Sequence, residues 1–211
     1  MRSAILLVLL TTAAHAGNNE LTITESTRAL RTSSANAITA DGLFGGALGY
    51  GRRLLVLPDL ELWGQGTFGW GVADGMMFQT LTTELDTLTL MAGGQLRYAL
   101  HHRITASARL DVGTTRAALA IRDEAGHSAS DHGWGAISSA GLGIDCYVFH
   151  GERYAMALRF ELAAVATSSI PLAGTPDSMS EGTLQLEMTA ASLGSLNLSG
   201  PSFAASIVGQ F

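Results

Sequence analysis

The chain has 211 residues, 47% of them hydrophobic and only 14% charged, against about 25% charged in an average soluble domain. That length holds one domain, and a net charge of −6 with no basic block excludes a nucleic-acid-binding class. One cysteine, Cys146, excludes an internal disulfide framework and a multi-cysteine metal site, and all 12 basic residues are arginine.

Residues 1–16, MRSAILLVLLTTAAHA, read as a signal peptide. Arg2 gives the positive start, Ala4 to Leu10 the apolar core, and Ala14-His15-Ala16 the small-x-small cleavage pattern. The apolar run is shorter than the roughly 20 residues a spanning helix needs, and no cysteine follows it as in a lipoprotein. Export and cleavage after Ala16 are therefore expected, leaving 17–211 as one domain.

From there the sequence alternates. Residues 20–30 begin with Leu21 and Ile23 opposite Thr22 and Thr24; 42–56 place Phe44, Leu48 and Tyr50 on one parity. In 60–70, Leu60, Leu62, Phe68 and Trp70 oppose Glu61, Gln65 and Thr67; in 87–100, Leu88, Leu90, Leu96 and Tyr98 oppose Gln95 and Arg97. Ile104, Leu110 and Val112 oppose Arg109 and Asp111; Ile144, Cys146 and Val148 share a parity opposite Asp145; Met156, Leu158, Phe160 and Leu162 oppose Arg159 and Glu161. Period two is a strand signal. Runs of ten or more residues exceed the about 5–6 of ordinary strands and match the 9–11 of strands crossing a bilayer in a tilted barrel.

Turns at 57–59, 101–103 and 150–153 are tight; the segments 33–41, 74–86, 119–133 and 168–199 read as long polar loops. Short turns on the periplasmic side and long loops outside require an even strand count. Nine runs alternate, counting 183–192, so that stretch is assigned to the last outer loop, where it could extend a strand beyond the membrane. Leu193, Leu196 and Leu198 in 192–201 are too apolar for a free tail, so this part of the loop is expected to fold back over the barrel mouth. The expected fold is all-β: an antiparallel, up-and-down, eight-stranded transmembrane barrel closed by residues 200–211.

The signal peptide, the Gly-rich alternating strands, the turn GYGRRLLVLPDLELWGQG and the final strand SFAASIVGQF ending at Phe211 together resemble the small eight-stranded outer-membrane barrels of Gram-negative bacteria, the OmpA-like group. The likeness covers residues 20–211 and implies an outer-membrane location. It also implies that the strand ending at Phe211 is read by the barrel-insertion machinery and closes onto the first. Tyr50, Tyr98, Tyr147, Tyr154 and Phe211 are expected as anchors near the periplasm, with Trp70, Phe78 and Trp134 nearer the outside.

An eight-stranded interior is just wide enough for side chains to fill. Arg97, Arg109, Asp111, Asp145, Arg159 and Glu161 share the inward parity, and a lumen charge must be paired, so one interlocked salt-bridge layer is expected to plug it. The alternative is a narrow path for protons or small solutes. His127 and His132 stand near Asp123, Glu124 and Asp131 in an outer segment, without the spacing of a zinc signature, and no nucleophile or cofactor motif is present. The expected role is structural or surface-interacting, without catalysis, cofactor or metal. Its expected partners are outer-membrane lipid, the insertion machinery and an extracellular ligand of the outer loops, with the chain a monomer. Two rivals stand beside it: a lipid-modifying enzyme with its site on the outer loops, and a soluble exported barrel with an apolar ligand inside. In the second, Arg109, Asp111, Arg159 and Glu161 would face water.

Overall fold

A computed structural model describes residues 17–32, 35, 38–39, 42–77, 81–122, 128–151, 154–172 and 194–211. The expectations for 1–16, Phe78, His127, 183–192 and Leu193 lie outside the described residues. The alternating runs form β1 (Asn19–Arg28), β2 (Leu43–Val56), β3 (Leu60–Met77), β4 (Leu81–His101), β5 (Ile104–Arg122), β6 (Ser128–His150) and β7 (Ala155–Thr167), then the short β8 (Ile170–Leu172) and β9 (Gly194–Leu196), then β10 (Gly200–Gln210). All but β8 and β9 hydrogen-bond in one ring, each neighbour antiparallel, with β10 between β7 and β1. The closure continues past the ladder: Asn19 and Phe211 exchange both backbone hydrogen bonds, at 3.0 and 2.9 Å.

The ring is staggered. A path perpendicular to the strands runs from Glu20 through Gly51, Gln65, Gly93, Asp111, Ser139, Val165 and Gly200, and returns to β1 opposite residue 30, ten positions higher. Such a shear tilts the strands by about 35–45° and leaves an interior that side chains can fill. Bulges at Arg53/Leu55, Ala99/His101 and Tyr147/Phe149 sit just before the three tight turns. The last of them turns both Val148 and Phe149 outward.

Polarity follows the pleat, and it is inverted relative to a soluble protein. Leu110, Leu142 and Leu162 are 63%, 70% and 67% exposed, whereas Asp111, Asp145 and Arg159 are buried. Among the described residues no helix is long and apolar enough to cross a membrane; here the strands carry the apolar belt, as a membrane-spanning barrel requires. This excludes the soluble reading, because Arg109, Asp111, Arg159 and Glu161 face the lumen. Glu25, exposed on β1 between Gly46 and Ala205 of the flanking strands, breaks the belt. A lipid-facing carboxylate is unfavourable, so Glu25→Leu should stabilise the barrel by about 1 kcal/mol in urea unfolding from lipid vesicles.

The segments 74–86 and 119–133, expected as loops, are instead mostly strand: β3 runs on to Met77, β4 starts at Leu81, β5 reaches Arg122 and β6 starts at Ser128. Here the alternation persists but changes sign. On β4, Glu84 and Asp86 point outward while Thr83, Leu85 and Thr87 are buried inside. Leu85, Ala117, Leu119 and Ala73 join Leu30, Ile38, Leu43 and the residues Ile170, Leu172, Leu196 and Leu198 in an apolar core within the barrel mouth. The β8–β9 hairpin lies against the inner face of β6, where a Cβ on Gly135 would sit 2.7 Å from Ile170 Cγ1. Of the segment 168–199, the described strands β8 and β9 thus pair and pack inward, and Leu196 and Leu198 fold back into the barrel mouth as expected.

Candidate functional site in the barrel lumen

The six charged residues of the inward parity meet Glu61 and Gln65, which share that parity, and further inward side chains from the other strands. In the tier nearer the turns, Arg159 grips Asp145 through two bonds, Nε–Oδ1 at 2.6 Å and Nη2–Oδ2 at 2.9 Å, and reaches Glu20 Oε1 with Nη1 at 3.1 Å. Arg97 comes from the facing wall: its Nη2 lies 2.6 Å from Glu20 Oε2 and its Nε 3.9 Å from Asp145 Oδ2. Two guanidiniums and two carboxylates from β1, β4, β6 and β7 therefore close one neutral square across the lumen. All four are at least 98% buried, where such charges persist only when paired and hydrogen-bonded. Gln95 Oε1 accepts from Arg97 Nε and Nη2 at 3.1 and 2.7 Å, and Gln210 Nε2 donates to Glu20 and to Tyr147 Oη.

Trp63 completes the tier. It is 1% exposed, with its ring 4.3 Å beneath the Arg97 guanidinium carbon, a cation–π geometry that desolvation strengthens. Its Nε1 donates to Glu61 Oε2 at 2.8 Å, and Glu61 in turn accepts from Arg53 Nη1 at 3.0 Å.

Arg109, Asp111 and Glu161 form a second tier nearer the mouth. Arg109 Nε pairs with Asp111, its Nη1 lies 3.7 Å from Glu161 Oε2, and its Nη2 donates to Thr67 Oγ1 at 3.0 Å. Gln65 Nε2 donates to Asp111 Oδ1 at 3.0 Å. The single expected layer is therefore two tiers, and Arg109 belongs with Asp111 and Glu161, not with Asp145 and Arg159. Bulges before the turns and the stagger of the ring shift neighbouring strands along each other, which separates charges that share one parity into two levels.

One further placement differs from expectation. Tyr147 shares the parity of Asp145 and bonds with Gln210 inside the barrel, so it is not a lipid-facing anchor; Tyr50, Tyr98, Tyr154, Trp70 and Trp134 do face outward. His132 is exposed on β6, its backbone N–H bonded to Asp131 Oδ1 at 2.7 Å, and among the described residues no three His, Cys, Asp or Glu side chains converge as a metal site would.

Space inside is divided. A vestibule of about 520 Å³ opens at the turn end between Leu57, His101, Arg103 and Tyr147. Between the tiers, beside Glu20, Thr22, Gln65 and Arg159, the free volume falls to about 10 Å³, close to the minimum for one water. Above the second tier it widens again to about 80 Å³.

No protein-family model matches this chain, and no curated protein matches it. Solved structures that resemble it include Ail, the attachment invasion locus protein of Yersinia pestis, with a TM-score of 0.45 and 10% identity over 93% of this chain and 98% of that one. The β domain of the Bordetella autotransporter BrkA aligns with a TM-score of 0.45 and 12% identity over 93% and 100% of the two chains. The translocator domain of the autotransporter NalP from Neisseria meningitidis gives 0.42 and 10% over 100% and 95%.

Proposed function

We propose that the mature chain, cleaved after Ala16, is a monomeric outer-membrane barrel with a structural and surface-interacting role and no catalysis. The turn end faces the periplasm and the extended ends of β3 to β6 stand outside. The observation that carries this reading is the change of polarity along single strands. Near the turns the strands are apolar outside and ion-paired inside; beyond Leu88 on β4 the outward positions become Asp86 and Glu84 and the inward ones Leu85 and Thr83. A strand must change in this way to pass from lipid into water without ending, because the favoured outer surface changes with the solvent. A rigid, polar-faced extension with its own apolar core suits contact with an extracellular partner better than a free loop does.

The constriction between the charge tiers supports a closed lumen with no solute path. Lipid surrounds the belt, and the strand ending at Phe211 serves the insertion machinery. The reading is tested by replacing residues 75–84 and 120–131 with tight turns. The shortened barrel should still resist SDS until boiled, as seen by its gel mobility, while adhesion of cells bearing it to an epithelial monolayer falls to the level of cells lacking the protein. Unchanged adhesion would overturn the surface role.

A further inference from the structure

Arg53, Arg97, Arg109 and Arg159 each pair with a carboxylate. Arg28, at the mouth end of β1, does not follow them. Its Nη1 makes a long bond of 3.4 Å to the Leu198 carbonyl, and its Nε is buried with no partner. Arg28 is half-buried with its Nε enclosed, and a guanidinium so placed gains from counter-charge as well as from hydrogen-bond acceptors; the carbonyl supplies only the second. Arg28 lines the cavity of about 80 Å³ above the second tier, together with Ser26, Thr67, Gly69, Thr87 and Thr89. That is several times the space one water needs. Thr87 Oγ1 already donates to the Gly71 carbonyl and Thr89 Oγ1 is paired with Thr115 Oγ1, so among the threonines it is Thr67 that suits the same ligand as the cation. Thr67 Oγ1 already accepts from Arg109 Nη2, so its own proton remains to be donated.

The geometry points to a small inorganic anion of the halide class bound in this cavity, held by Arg28 from above and by the hydroxyl of Thr67 from the side. The anion pairs with the one lumen arginine among those described that makes no salt bridge to a carboxylate, and it ties β1 to β3 where the inward positions Gly69 and Gly71 supply no side chain of their own. Neither the surface role nor the ion-paired tiers below require this site.

The experiment compares the temperature at which the compact, unboiled gel form is lost, for barrels refolded in sodium chloride and in sodium gluconate at one ionic strength. The much larger gluconate serves as the bulk counterion. A ligand that binds only the folded state raises this temperature along a saturating curve. Chloride should do so for the native chain. Arg28→Gln should weaken the apparent affinity by about tenfold or more, the loss expected when charge-assisted bonds to a desolvated ion disappear. Gly69→Ala is the second variant; its added Cβ would meet nothing closer than 3.5 Å, so it narrows the cavity without straining the wall and should also weaken chloride. If Arg28→Gln does not refold, Gly69→Ala decides. No difference between chloride and gluconate, or the same chloride curve in the variants as in the native chain, overturns the site.

Discussion

Arg159→Met should destabilise the folded barrel by roughly 3–5 kcal/mol, the range for removing one partner of a buried ion pair. The side chain sits between Asp145 and Glu20 and bonds to both. Methionine retains much of the aliphatic stem, so the loss is chiefly electrostatic: two buried carboxylates remain, with Arg97 alone to face them at 2.6 and 3.9 Å. Restoring the balance should recover part of the loss. In Arg159→Met with Asp145→Asn, one guanidinium faces one carboxylate, so the double variant should be more stable than the sum of the single costs. Lysine should rescue poorly, because a point charge cannot reproduce the forked grip on Asp145. Urea unfolding from vesicles, followed by tryptophan fluorescence, measures all four chains. A loss under about 1 kcal/mol for Arg159→Met would mean that water reaches this tier and screens it, contrary to the burial of its four members.

Much of this architecture is legible in the sequence because a barrel wall writes its two environments onto alternate residues. Arg159 and Glu161 against Leu158 and Leu162 show both face and span at once. Trp63 was missed for the complementary reason: it stands between Glu61 and Gln65 on the polar parity, and an indole there reads as an exception to the pattern, although its position alone assigns it to the lumen. Glu20 stands at the first inward position of β1, on the parity of Thr22 and Thr24, and that parity was the available signal. The outer halves of β3 to β6 were lost because their alternation changes sign. Thr82, Glu84 and Asp86 opposite Thr83, Leu85 and Thr87 still has period two, but a search for apolar residues on the lipid-facing parity ends at Leu88. The division of the charges into two tiers was not legible, since it depends on the stagger around the ring, and that is a property of closure and not of any one strand.

Leu162→Arg should cost roughly 2–4 kcal/mol, the penalty for arginine on the lipid face near the bilayer midplane. Leu162 is 67% exposed and pairs across the strands with Leu142, itself 70% exposed, and with Phe203. For a leucine so exposed on a soluble protein, the same change would fall within about 0.5 kcal/mol of neutral. The substitution therefore separates the two solvents by a margin well above the error of an unfolding measurement. It also has an internal control. Val148 is 61% exposed but lies at the bulge beside the last tight turn, where a belt gives way to the interface, and arginine there should cost about 1 kcal/mol or less because the penalty falls with depth. A large loss at Leu162 with a small one at Val148 requires a hydrocarbon layer around the middle of the barrel. Equal, near-zero effects at both sites would mean that water bathes the apolar belt, and the membrane reading of this fold would fail.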